Sequence, residues 1–159
     1  MEVAARSARL EDLERLQALY GDLAVEQGAL RPLWPLVEGL PEPVGEAFAA
    51  ILAGEDPLLF VGTIDGAVVG FLWVTIVTLL PQARDRRLGV VRLVYTEPEA
   101  RGVGVGEAML GLALDALRNR GVTACDARVS PGHRAAKNFF EAHGFAARLI
   151  VMHRSEGRT

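Results

Sequence analysis

Residues 101–107, Arg-Gly-Val-Gly-Val-Gly-Glu, place three glycines within five positions, directly before an apolar, helix-like run. Such a stretch suits an anion. At a helix N-terminus the first amides have no partner inside the helix and the dipole is positive, and glycine lets an anionic oxygen approach the main chain. Three phosphate-binding patterns compete. The dinucleotide pattern G-x-G-x-x-G/A fails, because its third position holds Glu107 when counted from Gly102 and Met109 when counted from Gly104. The triphosphate pattern fails for want of Gly-Lys-Ser/Thr. The pattern Arg-x-x-Gly-x-Gly is met by Arg101, Gly104 and Gly106. Taken alone, the stretch fits a plain turn into a helix equally well.

The elements around it are legible from periodicity. Leu13, Leu16, Leu19, Tyr20 and Leu23 recur at helical spacing behind Glu11, Asp12 and Glu14, which predicts a helix ending near Gln27-Gly28. Pro32, Pro35, Pro41 and Pro43 then forbid a long helix, and a second one is expected over Val44–Leu52, stopping at Gly54. Strands are expected at 58–64 and 67–80 around an Asp65-Gly66 hairpin turn, and again at 89–97. Met109, Leu110, Ala113, Leu114 and Leu117 form the stripe of the helix after the glycines, capped by Gly121. A strand over Val122–Val129, a helix from Ser130-Pro131 to His143 closed by Gly144, and a last strand over 147–154 complete the order. The fold class is α/β, with helices on both faces of a mixed, mostly antiparallel sheet.

Composition bounds the function. With 159 residues, half of them hydrophobic, the chain is expected to form one domain over 1–159. A net charge of −3 gives a nucleic-acid role no electrostatic support, the longest apolar run, 67–80, is too short for a membrane span, and the opening Met-Glu-Val-Ala-Ala-Arg-Ser-Ala-Arg has no apolar core of the kind a secretory leader needs. A cytoplasmic protein is expected. The single cysteine, Cys125, permits neither an internal disulfide nor a cysteine-cluster metal site, and reads as a small apolar strand residue; no metal is expected.

The Arg101–Gly106 pattern after the strand ending Val-Tyr-Thr-Glu resembles the pyrophosphate loop of the GNAT superfamily of acetyl-CoA-dependent N-acetyltransferases. Residues 133–145 resemble its later motif through Ala136, Phe139, Glu141, Gly144 and Phe145, and residues 8–20 resemble its opening helix. The resemblance covers nearly the whole chain and is most specific over 89–145. It implies acetyl-CoA as cofactor, lying where the strands 89–96 and 122–129 splay apart. The main chain of Val94, Tyr95 and Thr96 would then pair with the pantetheine arm, and Val94 would serve the thioester carbonyl. The amides of Arg101, Gly102, Val103, Gly104, Val105, Gly106 and Glu107 would cradle the pyrophosphate, with His133, Ala136 and Phe140 completing the cofactor site.

Two positions depart from the family pattern. His133 stands where Asn is frequent, and a neutral imidazole can still make one bond to the arm. Phe140 stands where many members carry a Tyr that protonates the leaving thiolate. Losing such an acid costs roughly 10²- to 10⁴-fold in rate, which impairs without forbidding. Val90 occupies a place that sometimes carries a Glu base, so Glu97, Tyr95, Asp126 and His133 stay open as proton acceptors, each with a structural reading beside it. Arg92, alternating with Val90 and Val94, faces either the cleft, where it would favour an anionic substrate, or a salt bridge. Trp34 walls the acceptor pocket or simply packs, and Arg84, Arg86 and Arg87 read most simply as a solvated loop.

The resemblance therefore implies acetyl transfer to a primary amine of a small molecule or peptide by direct attack. An acyl-CoA-binding sensor or regulatory module is the alternative that Phe140 permits, and a nucleotide-binding protein is a weaker third. Oligomeric state is left open between monomer and homodimer.

Overall fold

The computed structural model describes residues 1–30, 39–84, 86–130 and 132–157. Its elements are β1 (Val3–Ser7), α1 (Leu13–Leu30), α2 (Val44–Ala53), β2 (Leu59–Ile64), β3 (Ala67–Thr78), β4 (Arg87–Thr96), α3 (Val105–Asn119), β5 (Cys125–Ala127) and α4 (Arg134–Ala142). The strands lie in chain order, β1-β2-β3-β4-β5, antiparallel except for the parallel β4–β5 pair. A β4–β5 parallel pair needs a crossover, and α3 supplies it.

Two apolar clusters sandwich the sheet. On one face Val105, Met109, Leu110, Ala113 and Leu117 of α3 meet Phe60, Leu72, Val74 and Val91, with Phe140 of α4 alongside. On the other, Leu16, Leu19 and Leu23 of α1 and Phe48 of α2 meet Leu59, Val61, Phe71, Leu93 and Tyr95. Apolar residues at both parities of β3 are thus accounted for: the strand is covered on both sides. Phe48 stands edge-on to Phe71, with ring centroids 5.8 Å apart.

Local chemistry sets the boundaries. Asp12 precedes α1, is 5% exposed, accepts from the Arg9 amide at 2.8 Å and from Arg6 at 2.8 and 2.9 Å. The Arg6 guanidinium holds its carboxyl below the ordinary value. Asp65 and Gly66 both have positive φ, 49° and 84°, as a two-residue hairpin turn of the expected type requires. After α3 the Val122 amide donates to Leu117 and the Gly121 amide to Arg118, at 2.9 Å each. Phe145 and Gly144 repeat that motif behind α4, donating to Phe140 and Glu141 at 3.0 and 3.2 Å. Glycine in the left-handed region closes both helices, Gly121 at φ 74° and Gly144 at φ 89°.

Several expectations are corrected. α1 runs on to Leu30, through Gly28. The strand expected over Val122–Val129 is only Cys125–Ala127. α4 starts at Arg134 with His133 as its cap, because the His133 amide is spent on the Ser130 oxygen at 3.0 Å; Pro131 lies outside the described residues. No strand forms over 147–154, and Leu149 to Met152 stand in solvent. No helix among the described residues is long and apolar enough to cross a membrane.

Candidate active site

β4 and β5 pair only over Gly89–Val91 and Cys125–Ala127. Beyond the Arg128 amide, which donates to the Val91 oxygen at 3.3 Å, no main-chain bond joins the two strands among the described residues. Register fixes what β4 then offers to the opening. The Glu97 amide donates to the Val69 oxygen at 2.9 Å, so by alternation Tyr95 and Leu93 also turn their main chain to β3. Val94 and Thr96 turn the other way. Below Arg92 the parity is reversed, since the Gly89 amide donates to the Ala124 oxygen at 3.0 Å on the β5 side. The register shift at Arg92, opposite Trp73 and Val74, is a β-bulge that re-aims the strand. The implied trio of Val94, Tyr95 and Thr96 is thereby corrected: Tyr95 gives its main-chain groups to β3.

The glycine stretch forms the second wall. Gly102 and Gly104 have φ of 80° and 98°, and a Cβ added at either would meet nothing within 4 Å. That is an open, left-handed turn. The Arg101 amide is not part of the cradle, because it donates to Pro98 at 3.3 Å. From Gly102 through Glu107, no amide has an acceptor among the described residues; Ala108 is the first to find one, the Gly104 oxygen at 3.0 Å. Gly106 serves a different need, since a Cβ there would come within 3.1 Å of the Phe139 ring. It lets α4 pack close on the start of α3.

α1 supplies residues that the local motifs did not reveal. Glu26 holds Arg101 by two bonds of 2.9 Å each, while Arg101 Nε donates to the Thr96 oxygen at 2.8 Å. The guanidinium also lies 5.4 Å from the centroid of the Tyr95 ring. Gln27 is 9% exposed, and its Nε2 donates to His133 Nδ1 at 3.1 Å, leaving Gln27 Oε1 buried without a partner. One signal for Gln27 was present in the sequence: it takes the next place on the stripe of Leu16, Leu19 and Leu23. A polar residue there needs a partner.

The candidate proton carriers gather unevenly. Tyr95 is 6% exposed, and burial, reinforced by Glu26 and Asp22, raises its phenol above the ordinary value of 10.0, so it donates rather than accepts at neutral pH. Glu97 is paired with Arg15 and Asp126 with Arg148, whose Nε donates at 2.8 Å. With Gln27 donating to Nδ1, the ring proton of His133 sits on Nε2. Phe140 is 3% exposed, packed edge-on to Phe139 and Phe145 at 5.2 and 5.1 Å, so it belongs to the core and does not line an open groove. Ala136 is half-buried on α4. Arg92 shares the α1 face with Val90 but not with Val94; its Nε donates to Thr75 Oγ1 at 2.8 Å, and no carboxylate among the described residues pairs with it. Trp34 lies outside the described residues. Cys125 is in β5, its thiol pushed up to about 11 by burial and therefore unreactive at neutral pH.

Burial lowers the His133 pKa below its ordinary 6.5. The unfolded chain then takes up that proton first, so stability falls as pH drops through about 6.5, and the loss is complete below the folded-state value. Thermal melts between about pH 7.5 and pH 5 are expected to show this decline, and His133→Gln is expected to flatten it.

Comparison with known proteins agrees with this geometry. The family model described as "Acetyltransferase (GNAT) family" matches residues 16–145. A mycothiol acetyltransferase of Thermobispora bispora is 36% identical over 90 residues, covering 56% of this chain and 30% of that protein. The chain spans about a third of the length of the curated relatives it matches, such as the 31% of the Thermomonospora curvata mycothiol acetyltransferase. A transcriptional regulator from Bacillus halodurans C-125 superposes with a TM-score of 0.75 at 26% identity, over 96% of this chain and 100% of that one. A predicted acetyltransferase from Clostridium acetobutylicum, solved with acetyl-CoA, shares the fold at a TM-score of 0.74 and 17% identity, over 97% and 96% of the two chains. The chain belongs to the GNAT acetyltransferase family, whose cofactor is acetyl-CoA.

Proposed function

We propose that this chain transfers the acetyl group of acetyl-CoA to a primary amine of a small molecule or peptide, by direct attack with both substrates bound. The observation that carries this reading is the run of unpartnered amides from Gly102 to Glu107 beside the outward-facing main chain of Val94 and Thr96. The residues fit the cofactor. A diphosphate matches amides converging at the positive end of α3, and the amides of a pantetheine arm match a strand edge with no strand beside it. The cofactor supplies an acyl group activated as a thioester.

The chain does the rest. The amides of Gly102, Val103, Gly104, Val105, Gly106 and Glu107 hold the diphosphate, and Arg101 braces that turn through Glu26 and the Thr96 oxygen. The Val94 N–H, facing the opening, donates to the thioester oxygen and stabilises the charge that develops there. Tyr95 and His133 flank the arm and carry donor protons. With Glu97 and Asp126 already paired, the proton of the attacking amine leaves through water. Arg92, free of any carboxylate among the described residues, receives an anionic group on the acceptor.

A second reading is favoured by one specific observation: Glu97, Asp126 and the Nδ1 of His133 are engaged, and Phe140 has no proton to give. An acyl-CoA-binding regulatory module would look the same, and the Bacillus neighbour is described as a transcriptional regulator. Release of free thiol from acetyl-CoA across a panel of amines separates the two. The transferase reading expects turnover with at least one amine class. Tight CoA binding with no turnover on any amine would leave the regulatory module standing.

A further inference from the structure

β3 outruns its neighbour. It spans Ala67–Thr78, but its pairing with β2 ends at Trp73, opposite Leu59. The last bond on that side is the Val74 amide donating to the Leu58 oxygen at 2.9 Å. On the other side the Leu79 amide donates to the Arg86 oxygen at 2.8 Å, so by alternation Thr75 and Val77 give their main chain to β4. The main-chain groups of Ile76 and Thr78 point the opposite way, past the end of β2, and find no partner among the described residues. Sheet proteins guard such an edge with a charge or a proline. Thr75-Ile76-Val77-Thr78 has neither, and its residue types favour pairing.

The edge borders a cleft of about 330 Å³ that wraps around it, walled by Ile51 and Trp73 on the α2 face and by Leu58 and Ile76 on the α3 face. Its charge is one-sided. Arg120 is matched by Asp56, and Arg87, opposite Thr78, spends its guanidinium on the Arg120 oxygen. Glu55 is exposed and pairs with no cation among the described residues. It also follows α2 directly behind the Gly54 cap, where the dipole is negative and the last turn carries no basic residue to offset it. The half-buried Trp73 presents an indole beside this uncompensated end, a surface that suits a cation.

We propose that the free β3 edge over 74–78 docks an extended segment of a partner protein, which adds as a strand and sets an arginine or lysine beside Glu55. Unpaired donors and acceptors at strand spacing call for another extended main chain, and the cleft beside them reads one side chain of it. The negative end of α2 and Glu55 select a basic one. This docking leaves the cofactor opening free. Ile76 lies opposite Gly89 at the start of β4, whereas the glycine turn follows Thr96 at its end, roughly 20 Å further along the strand.

The probe is a fluorescein-labelled peptide, Thr-Thr-Val-Arg-Val-Thr-Thr, blocked at both ends. It offers no amine, so the outcome is independent of acetyl transfer. Anisotropy with the full chain is expected to show saturable binding below about 1 mM, and replacing the peptide arginine by glutamate is expected to abolish it. Amide spectra are expected to shift at Ile76 and Thr78 and to stay in place over 102–107. Glu55→Lys is expected to weaken the peptide at least about tenfold. So is Ile76→Pro, which deletes an edge donor that no ladder bond uses and therefore keeps the fold. Both variants are expected to hold wild-type CoA affinity. No binding at 1 mM overturns the proposal, as does binding indifferent to both substitutions. Peptide shifts at Val94 and Thr96 that CoA reverses would place it in the cofactor opening instead. Self-association that Ile76→Pro abolishes would give the edge to a second copy, and either result overturns the assignment.

Discussion

Gly104→Val is expected to weaken CoA binding about 100-fold, or ~2.7 kcal/mol, while the chain stays folded. Gly104 sits at φ 98° and ψ 7°, as the cap of α3, with open space where a side chain would go. A β-branched residue there strains the backbone by roughly 1–3 kcal/mol. The turn relieves that strain by rotating the following amides out of convergence. Each charge-assisted bond lost from the cradle costs about 1.5–3 kcal/mol, so losing one or two accounts for the full effect. Calorimetric titration with CoA gives the affinity, and a thermal melt without ligand gives the cost to the fold. An unchanged affinity would remove the glycine stretch from the cofactor site.

Val94→Pro is expected to cut turnover about 10²- to 10³-fold with CoA affinity within about threefold of wild type. Proline normally breaks a central strand by deleting a ladder donor. Here the Val94 N–H faces away from β3, by the alternation that the Glu97–Val69 bond fixes, so no ladder bond is lost. The carbonyls of Val94 and Thr96 remain, and only the donor proposed for the thioester oxygen is gone. Val94→Ala keeps that N–H and is expected to stay within about threefold in both parameters. Steady-state kinetics with CoA titration separates the outcomes. If proline were tolerated in turnover, the oxygen would be stabilised from somewhere else.

What was legible in the sequence was what depends on near neighbours. The α3 stripe, the Gly121 cap, the Asp65-Gly66 hairpin and the glycine turn all rest on contacts a few residues apart, and all stand where expected. The partners of the site are another matter. Glu26 meets Arg101 and Gln27 meets His133 across 75 and 106 residues, and nothing local to Arg101 or His133 announces α1 as the other party. The bulge at Arg92 was hidden for a related reason: it is a property of β4 against β3, not of β4 alone. Reading strict alternation through it wrongly put Arg92 on the face of Val94. Phe140 lies in the core because Gly106 lets α4 settle onto α3, a pairing visible only once both helices are placed. The strand expected after α4 failed differently, since its residues have the right types and its own chain offers them no cover.

The central claim is that the amides opening α3 receive the diphosphate of CoA. Amide ¹H–¹⁵N spectra recorded as CoA is added test it most directly. Downfield proton shifts confined mainly to Gly102, Val103, Gly104, Val105, Gly106 and Glu107, saturating with the calorimetric affinity, are the expected result. Saturable CoA binding that leaves those resonances in place would contradict it.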